Sequence, residues 1–379
     1  MIPRRFVPVR PIVLCMEHAL SPAALSELRR PRPYPAVSVL TPTHRRGPDT
    51  AQDPVRLRNV VAAAKKQLES DPAVTRERRL DVVEQLDRAL SEVDLRETED
   101  GLVIFAAPGE HQVWTLARSV PERVVLSDTF LTRNLVSAQA ADRPFWVLSV
   151  SADRVTLWNG GAGHVTEERS GGFPLTRSQE NFDAERLERV GNLPSTFRDE
   201  DTRHFLRDAD TALTGLLREN PRPVYVTGEP AALSLLDEFG GAARDAVHLA
   251  HGGLAHGTPE AVWQAVHPLL EEEARRQDEA VARELQAARG HRTFAAGVDE
   301  LWQSAREGRV RLLAVEEDYR VTVRDAGDHL VPADGDDLDA REDIVDEIVE
   351  QCLETGAEVR FVPDGTLGDA QGIAGVLRY

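Results

Sequence analysis

Seven cationic side chains lie close together in a chain that is otherwise strongly acidic. Three follow a short β-rich run, and four fall in the segment predicted to form the next helix. The set is His44, Arg45, Arg46, Arg56, Arg58, Lys65 and Lys66. Cationic side chains beside a helix N-terminus are suited to binding phosphate. We therefore predict an RNA- or phosphate-binding surface. Because no aromatic residue is interleaved, contacts should be to the backbone rather than to bases.

The elements that position these cations are a strand, a turn and a helix. The strand is Val37–Leu40, and Asp53 is predicted to cap the following helix, with Pro54 at its first position. Helical spacing places Leu57, Val60, Val61, Ala64 and Leu68 on one apolar face. Arg58 and Lys65 then fall roughly opposite, and Lys66 about a right angle further round. The alternative interpretation is an ordinary solvated helix face beside a polar loop.

Charge is distributed unevenly along the 379 residues, whose formal net charge is −19. Residues 311–379 carry 18 acidic and 6 basic side chains. Such acidity argues against nucleic acid wrapping over most of the surface, and we expect no DNA partner. It leaves room for a local basic patch, and we predict a basic protein partner for the acidic C-terminal domain.

Other motifs that could carry chemistry favour structural roles. The spacing of His248, His251, His256 and His267 matches no standard zinc pattern, so we predict no metal site. Neither a Walker loop nor a dinucleotide fingerprint occurs, and we predict no cofactor. The Gly160–Gly163 run and the Pro363–Gly368 run are interpreted as turns, and Asp334–Asp339 as a solvated acidic loop. No nucleophile elbow occurs, although a hydrolase site assembled from distant residues stays open.

Cysteine content and hydropathy favour a cytoplasmic protein with no membrane association. The two cysteines, Cys15 and Cys352, offer no disulfide framework, and Cys352 is predicted to be buried. No apolar run approaches the ~20 residues of a membrane span. The Pro- and Arg-rich residues 1–33 are expected to be irregular, with either Met1 or Met16 as the true start.

The alternation of helical and β-branched segments predicts an α/β (α+β) protein with three α/β units. The expected N-terminal domain covers 34–140. A middle domain covers 141–290 and contains a long polar loop at 163–200. The acidic C-terminal domain covers 291–379.

Three stretches together resemble a known family. Pro42-Thr43-His44-Arg45 with Gln52–Leu57 resembles the bacterial branch of the archaeo-eukaryotic release-factor superfamily. Ala305–Val310 and the stretch from Ile344 through Pro363–Gly368 to Ile373 are similar to the start and end of that family's third domain. The resemblance implies a middle domain with an RNase H-like sheet and a last domain like the kink-turn-binding ribosomal proteins.

The resemblance also implies a function in translation, with one departure. Better-known members use a Gly-Gly-Gln loop of the middle domain to promote hydrolysis of peptidyl-tRNA. Here Gly171-Gly172 is followed by Phe173, and Gln179 comes seven residues after Gly172. We therefore expect a protein that binds the ribosome or tRNA without this hydrolysis. The alternatives are a regulatory protein on the same scaffold that binds a protein or small ligand, and a hydrolase with an unrecognised site.

Overall fold

The computed structural model describes residues 20–45, 48–177, 200–239, 241–244, 246–250, 252–334 and 340–379. They form a mixed α/β protein with three principal sheets, which confirms the predicted fold class. They divide into two compact units, one of which is Asp142–Gln277. The other combines the part of the chain up to Ala141 with Asp278–Tyr379. The division into three domains at 34–140, 141–290 and 291–379 stays a prediction.

The chain described begins with helix α1 (Pro22–Arg29), where Ser21 Oγ accepts a hydrogen bond from the Ala24 amide at 3.1 Å. The expectation that residues 1–33 are irregular is wrong for this segment. The helix is stabilised by burying Leu25 and Leu28 against the sheet. Two buried apolar residues are too few to give the repeating helical pattern by which a helix is recognised in a sequence. Residues 1–19, including Cys15 and Met16, lie outside the described residues.

An antiparallel sheet forms the centre of the N-terminal part. Its strands are β1 (Ala36–Pro42), β2 (Gly101–Ala107), β3 (Glu110–Leu116) and β4 (Arg123–Ser127), in the order β3-β2-β1-β4. Helices α2 (Asp53–Ser70) and α3 (Arg76–Glu92) pack on one face, while α1 and α4 (Arg133–Ala141) pack on the other. All five apolar residues predicted for α2 are buried. The sheet therefore holds α2 with its polar face outward.

The middle unit contains a mixed sheet in the order β10-β9-β5-β6-β7, with β8 beside β6. The strands are β5 (Phe145–Val150), β6 (Arg154–Gly161), β7 (His164–Glu167), β8 (Leu175–Thr176), β9 (Val224–Gly228) and β10 (Val247–His248). Strands β5–β7 are antiparallel, whereas β9 and β10 continue parallel to β5. This is the RNase H-like arrangement that the resemblance implied.

Helices cover both faces of the middle sheet. Helices α5 (Glu200–Glu219) and α6 (Pro230–Phe239) pack on one face, and the first part of α7 (Pro259–His291) packs on the other. The predicted loop 163–200 is partly wrong, because β7 and β8 lie within it. Both strands are short and polar, so they show no hydrophobic period. Residues 178–199, including Gln179, are outside the described part.

The C-terminal part has a sheet in the order β11-β16-β12-β15 and a separate hairpin. In chain order the elements are β11 (Phe294–Ala296), α8 (Val298–Arg306), β12 (Val310–Glu316), β13 (Val323–Ala326), β14 (His329–Pro332), α9 (Ile344–Glu354), β15 (Glu358–Val362) and β16 (Ile373–Leu377). Helices α8 and α9 cover one face, and the end of α7 covers the other. The acidic segment 335–339 is not among the described residues. No described helix is long and apolar enough to cross a membrane.

Candidate nucleic-acid interface

The predicted cations start in the segment that joins β1 to α2. His44 and Arg45 follow β1 after Thr43, and both are partly buried. Arg46 lies outside the described residues, so its place in the surface is untested. Arg56, Arg58, Lys65 and Lys66 all lie on α2. Strand and helix are thus adjacent in the way the sequence predicted.

Asp53 has a different role from the predicted one. It lies in the first turn of α2, and Gln52 occupies the N-cap position with no side-chain cap bond. The Asp53 carboxylate accepts the His44 backbone N–H and contacts His44 Nδ1, both at 2.9 Å. It also accepts Arg56 Nη1 at 2.9 Å. The predicted cap is therefore wrong: Asp53 ties the turn to the helix, and its side chain is only 4% exposed.

Carboxylates also accompany two further cations of the set. Arg45 lies 3.3 Å from Asp100 Oδ2 and 3.8 Å from Glu99, just before β2. Lys65 Nζ donates to Asp87 Oδ1 of α3. Together with Asp53 these acids offset much of the positive charge. A phosphate would have to compete with them for His44, Arg45, Arg56 and Lys65.

The exposed cations that remain lie further along α2. Arg58 is exposed, and its Nε donates to the Pro54 carbonyl oxygen at 3.0 Å. Lys66 is exposed as well. Within the described residues neither forms an ion pair with a carboxylate. Eight residues of helix separate their Cα atoms by about 12 Å along the axis, because each residue rises about 1.5 Å. The structure therefore divides the six described cations of the set into four that lie beside carboxylates and two, Arg58 and Lys66, that are exposed on α2.

The Gly171-Gly172 pair of the middle unit forms a turn. Both glycines have positive φ, 62° and 91°, a region that residues with a Cβ rarely adopt. The Phe173 amide then donates to the Ser170 carbonyl at 3.1 Å, and the Phe173 side chain packs into the core of the unit. In this chain the residue that follows the glycine pair is thus a buried anchor rather than a polar group.

Among the described residues, Ser151, Asp153 and His256 of the middle unit lie together in a way that resembles a hydrolytic triad. Ser151 Oγ donates to Asp153 Oδ1 at 2.7 Å, and His256 Nε2 lies 3.4 Å from Asp153 Oδ2. The Ser151 bond and His256 hold the pKa of Asp153 below its usual value. A triad needs the imidazole between hydroxyl and carboxylate. Here both groups contact the same carboxylate, so the arrangement does not activate Ser151.

The histidines considered as metal ligands are dispersed over separate carboxylates. His248 lies near Asp237, His256 near Asp153 and His267 near Glu271. His251 is outside the described residues. Among the residues that the structure describes, no group of three potential ligands converges.

Sequence reasoning missed a buried charged cluster in which α9 meets the N-terminal sheet and α4. It contains Asp343, Asp346 and Glu350, with Arg123 and Arg133 as partners. The signal available in the sequence was the spacing of three and four between these acidic residues.

Comparison with protein families matches residues 144–309 to bacterial archaeo-eukaryotic release factor family 3. It covers the middle unit and extends to Arg309 in the Ala305–Val310 stretch. The match confirms the predicted resemblance over this range. Of the three stretches on which the prediction was based, only Ala305–Arg309 lies within it. No curated protein matches the chain.

Several solved structures are similar to the chain over most of its length. An archaeal translation termination factor, aRF1, is 19% identical over 94% of this chain and 96% of its own, with a TM-score of 0.25. Archaeoglobus fulgidus Pelota is 15% identical over 73% and 79%, with a TM-score of 0.35. Dom34 of S. cerevisiae is 12% identical over 76% and 81%, with a TM-score of 0.38. At such TM-scores these superpositions carry no functional argument.

Proposed function

We propose that the chain is a release-factor-like protein that acts in translation by binding the ribosome or tRNA. The observation that carries the proposal is the family match over residues 144–309. Support from the geometry comes from α2, whose apolar face is buried and which exposes Arg58 and Lys66 to solvent. Within the part of the chain that the structure describes, neither cation has a carboxylate partner, so both side chains are available to contact phosphate.

We further propose that the protein does not itself hydrolyse peptidyl-tRNA. The sequence contains no Gly-Gly-Gln motif. The Gly171-Gly172 pair leads instead into Phe173, which is buried. In a peptidyl-tRNA hydrolysis assay, purified protein should release no more peptide than buffer does. Release that scales with protein concentration would overturn this part of the proposal.

The binding test is co-sedimentation with ribosomes over a series of salt concentrations. If binding depends on phosphate contacts, the logarithm of the binding constant should fall linearly with the logarithm of the salt concentration. The variant R58E/K66E should lose most binding at moderate salt, since it replaces two exposed cations with anions. The matched control R283E/R324E makes the same change in net charge at two other exposed arginines. It should bind like the wild type.

Lysine chemistry offers a second readout at the same surface. Lys65 and Lys66 are the only lysines in the chain. If α2 contacts RNA, bound ribosomes should slow acetylation of Lys66, which is the exposed one. Unchanged acetylation together with wild-type binding of R58E/K66E would remove α2 from the proposal. Failure of the wild type to sediment with ribosomes would favour a regulatory protein with another ligand.

A further inference from the structure

Three acidic residues of the C-terminal part are buried together on one side of α9. Asp343 directly precedes the helix, and Asp346 and Glu350 follow at spacings of three and four. This spacing places them on one helix face. Their exposures are 2%, 4% and 9%, whereas acidic side chains are almost never buried unless paired. We call Asp343, Asp346 and Glu350 the acidic triplet.

Asp343 is paired with two arginines of the N-terminal part. Its Oδ2 accepts Arg123 Nη1 from β4 at 2.6 Å. Its Oδ1 lies 3.3 Å from Arg133 Nη1, which also donates to the Tyr319 carbonyl at 2.6 Å. Both guanidinium groups are therefore engaged by the first carboxylate of the triplet.

Asp346 and Glu350 receive uncharged donors from the start of α4. The Arg133 backbone N–H donates to Asp346 Oδ1 at 2.6 Å. Thr132 Oγ1 donates to Glu350 Oε1 at 2.8 Å. In the described chain neither carboxyl forms an ion pair. Burial raises the pKa of both carboxyls. The negative charge of Asp343 raises the pKa of Asp346 further, and that of Asp346 raises the pKa of Glu350.

Further charged groups surround the triplet on every element packed there. Arg29 of α1 donates to the Glu350 backbone carbonyl at 3.0 Å, and its charge partly offsets that of Glu350. Arg320 lies near Arg123, Arg133 and Asp343, and burial lowers its pKa. On the acidic side, Glu342 lies 3.8 Å from Arg123, and Glu347 is bound by Arg341. The arginines stay charged over the accessible pH range, so the groups of this cluster that gain or lose protons are the carboxyls.

We propose that the acidic triplet is a proton-dependent latch between the N-terminal sheet and the C-terminal domain. The latch is closed while Asp346 and Glu350 hold protons, and it loosens when both ionise. Ionisation would add two buried negative charges beside Asp343. Arg123 and Arg133 are already paired with Asp343, so they cannot fully compensate for these charges. The resulting repulsion is relieved when α9 moves away from α4 and water reaches the carboxylates.

The direction of the pH effect follows from the raised pKa values. A carboxyl whose pKa is raised in the folded state stabilises the closed contact fully below its unfolded pKa of about 4. That contribution is lost as pH rises through the raised values. The latch should therefore be tightest in mildly acidic solution and weaken toward alkaline pH. Work above about pH 5 keeps exposed carboxyls ionised throughout.

The test measures the distance between spin labels on the two parts of the full chain. Labels are placed at L80C on α3 and R324C on β13, both exposed positions, in a C15S background in which Cys352 stays buried. Between about pH 5.5 and about pH 8.5 the wild-type pair should gain a longer or broader distance component. The neutral variant D346N/E350Q should keep one narrow distribution at both pH values. The matched control E354Q changes an exposed carboxylate of the same helix and should respond like the wild type.

A distance that does not change with pH in the wild type would overturn the proposal. So would a D346N/E350Q variant that keeps the wild-type pH response. If that variant fails to fold by circular dichroism, T132V supplies the second measurement. It removes the hydroxyl donor to Glu350 without altering any carboxyl, so the open component should appear at lower pH than in the wild type. An unshifted pH response in T132V would equally contradict the latch.

Discussion

At the scale of single residues, buried carboxylates organise the positive charges of the N-terminal part. Asp53 accepts the His44 amide and Arg56, and it also contacts the His44 ring. An aspartate at the N-cap position would have accepted hydrogen bonds only from backbone N–H groups of the first helical turn. The turn thus uses Asp53 to fix the path of the chain from β1 into α2, and cations near it serve structure before they can serve a ligand.

Asp53 should consequently contribute measurably to stability. D53A leaves the partly buried His44 amide without its acceptor and removes the partner of Arg56, which together should cost about 1–3 kcal/mol in free energy of unfolding. Urea denaturation followed by circular dichroism would measure the loss. D49A removes an exposed carboxylate of the same segment and should change the free energy by less than about 0.5 kcal/mol. Equal stabilities of D53A and D49A would show that the Asp53 contacts are energetically unimportant.

At the scale of elements, α2 illustrates how a helix is positioned by its apolar stripe. Leu57, Val60, Val61, Ala64 and Leu68 pack with β1, β2 and α3 in one cluster. Burial of this stripe determines which cations point outward. The orientation of Arg58 and Lys66 is therefore a consequence of core packing rather than of their own contacts.

Matched leucine truncations on α2 and α3 test this positioning. L68A removes a fully buried side chain and should lower the free energy of unfolding by about 2–5 kcal/mol. Leu80 is 60% exposed, so L80A should have an effect below about 0.5 kcal/mol. Denaturant titrations of both variants give the comparison. A tolerated L68A would mean that the stripe does not hold α2 in place.

At the scale of the whole molecule, the described chain forms two compact units whose boundaries fall at Asp142 and within α7. Each unit has its own clusters of buried apolar residues. Sheet packing in the middle unit is close at Gly160. A Cβ there would approach the Phe145 ring to 2.2 Å, a distance that side-chain atoms do not tolerate.

Two glycine-to-alanine changes should therefore act in opposite directions within the middle unit. G160A should destabilise it by about 1–3 kcal/mol through overpacking. Gly215 is exposed on α5 with open space around its Cβ position, so G215A should stabilise the unit by about 0.5–1 kcal/mol. In scanning calorimetry, both changes should shift the unfolding temperature of the same transition, that of the middle unit. If G160A shifted the unfolding of the whole chain equally, the two units would not unfold separately.

The sequence by itself determined the mixed α/β class, most helices and strands, and the buried face of α2. It did so because hydrophobic periodicity reports local geometry, which each segment carries on its own. Tertiary structure alone decided which cations are neutralised, since Glu99, Asp100 and Asp87 reach Arg45 and Lys65 only after the sheet and helices pack. It also decided the burial of Asp346 and Glu350 against Thr132 and Arg133, more than 200 residues earlier in the chain. No local period encodes a contact between such distant segments.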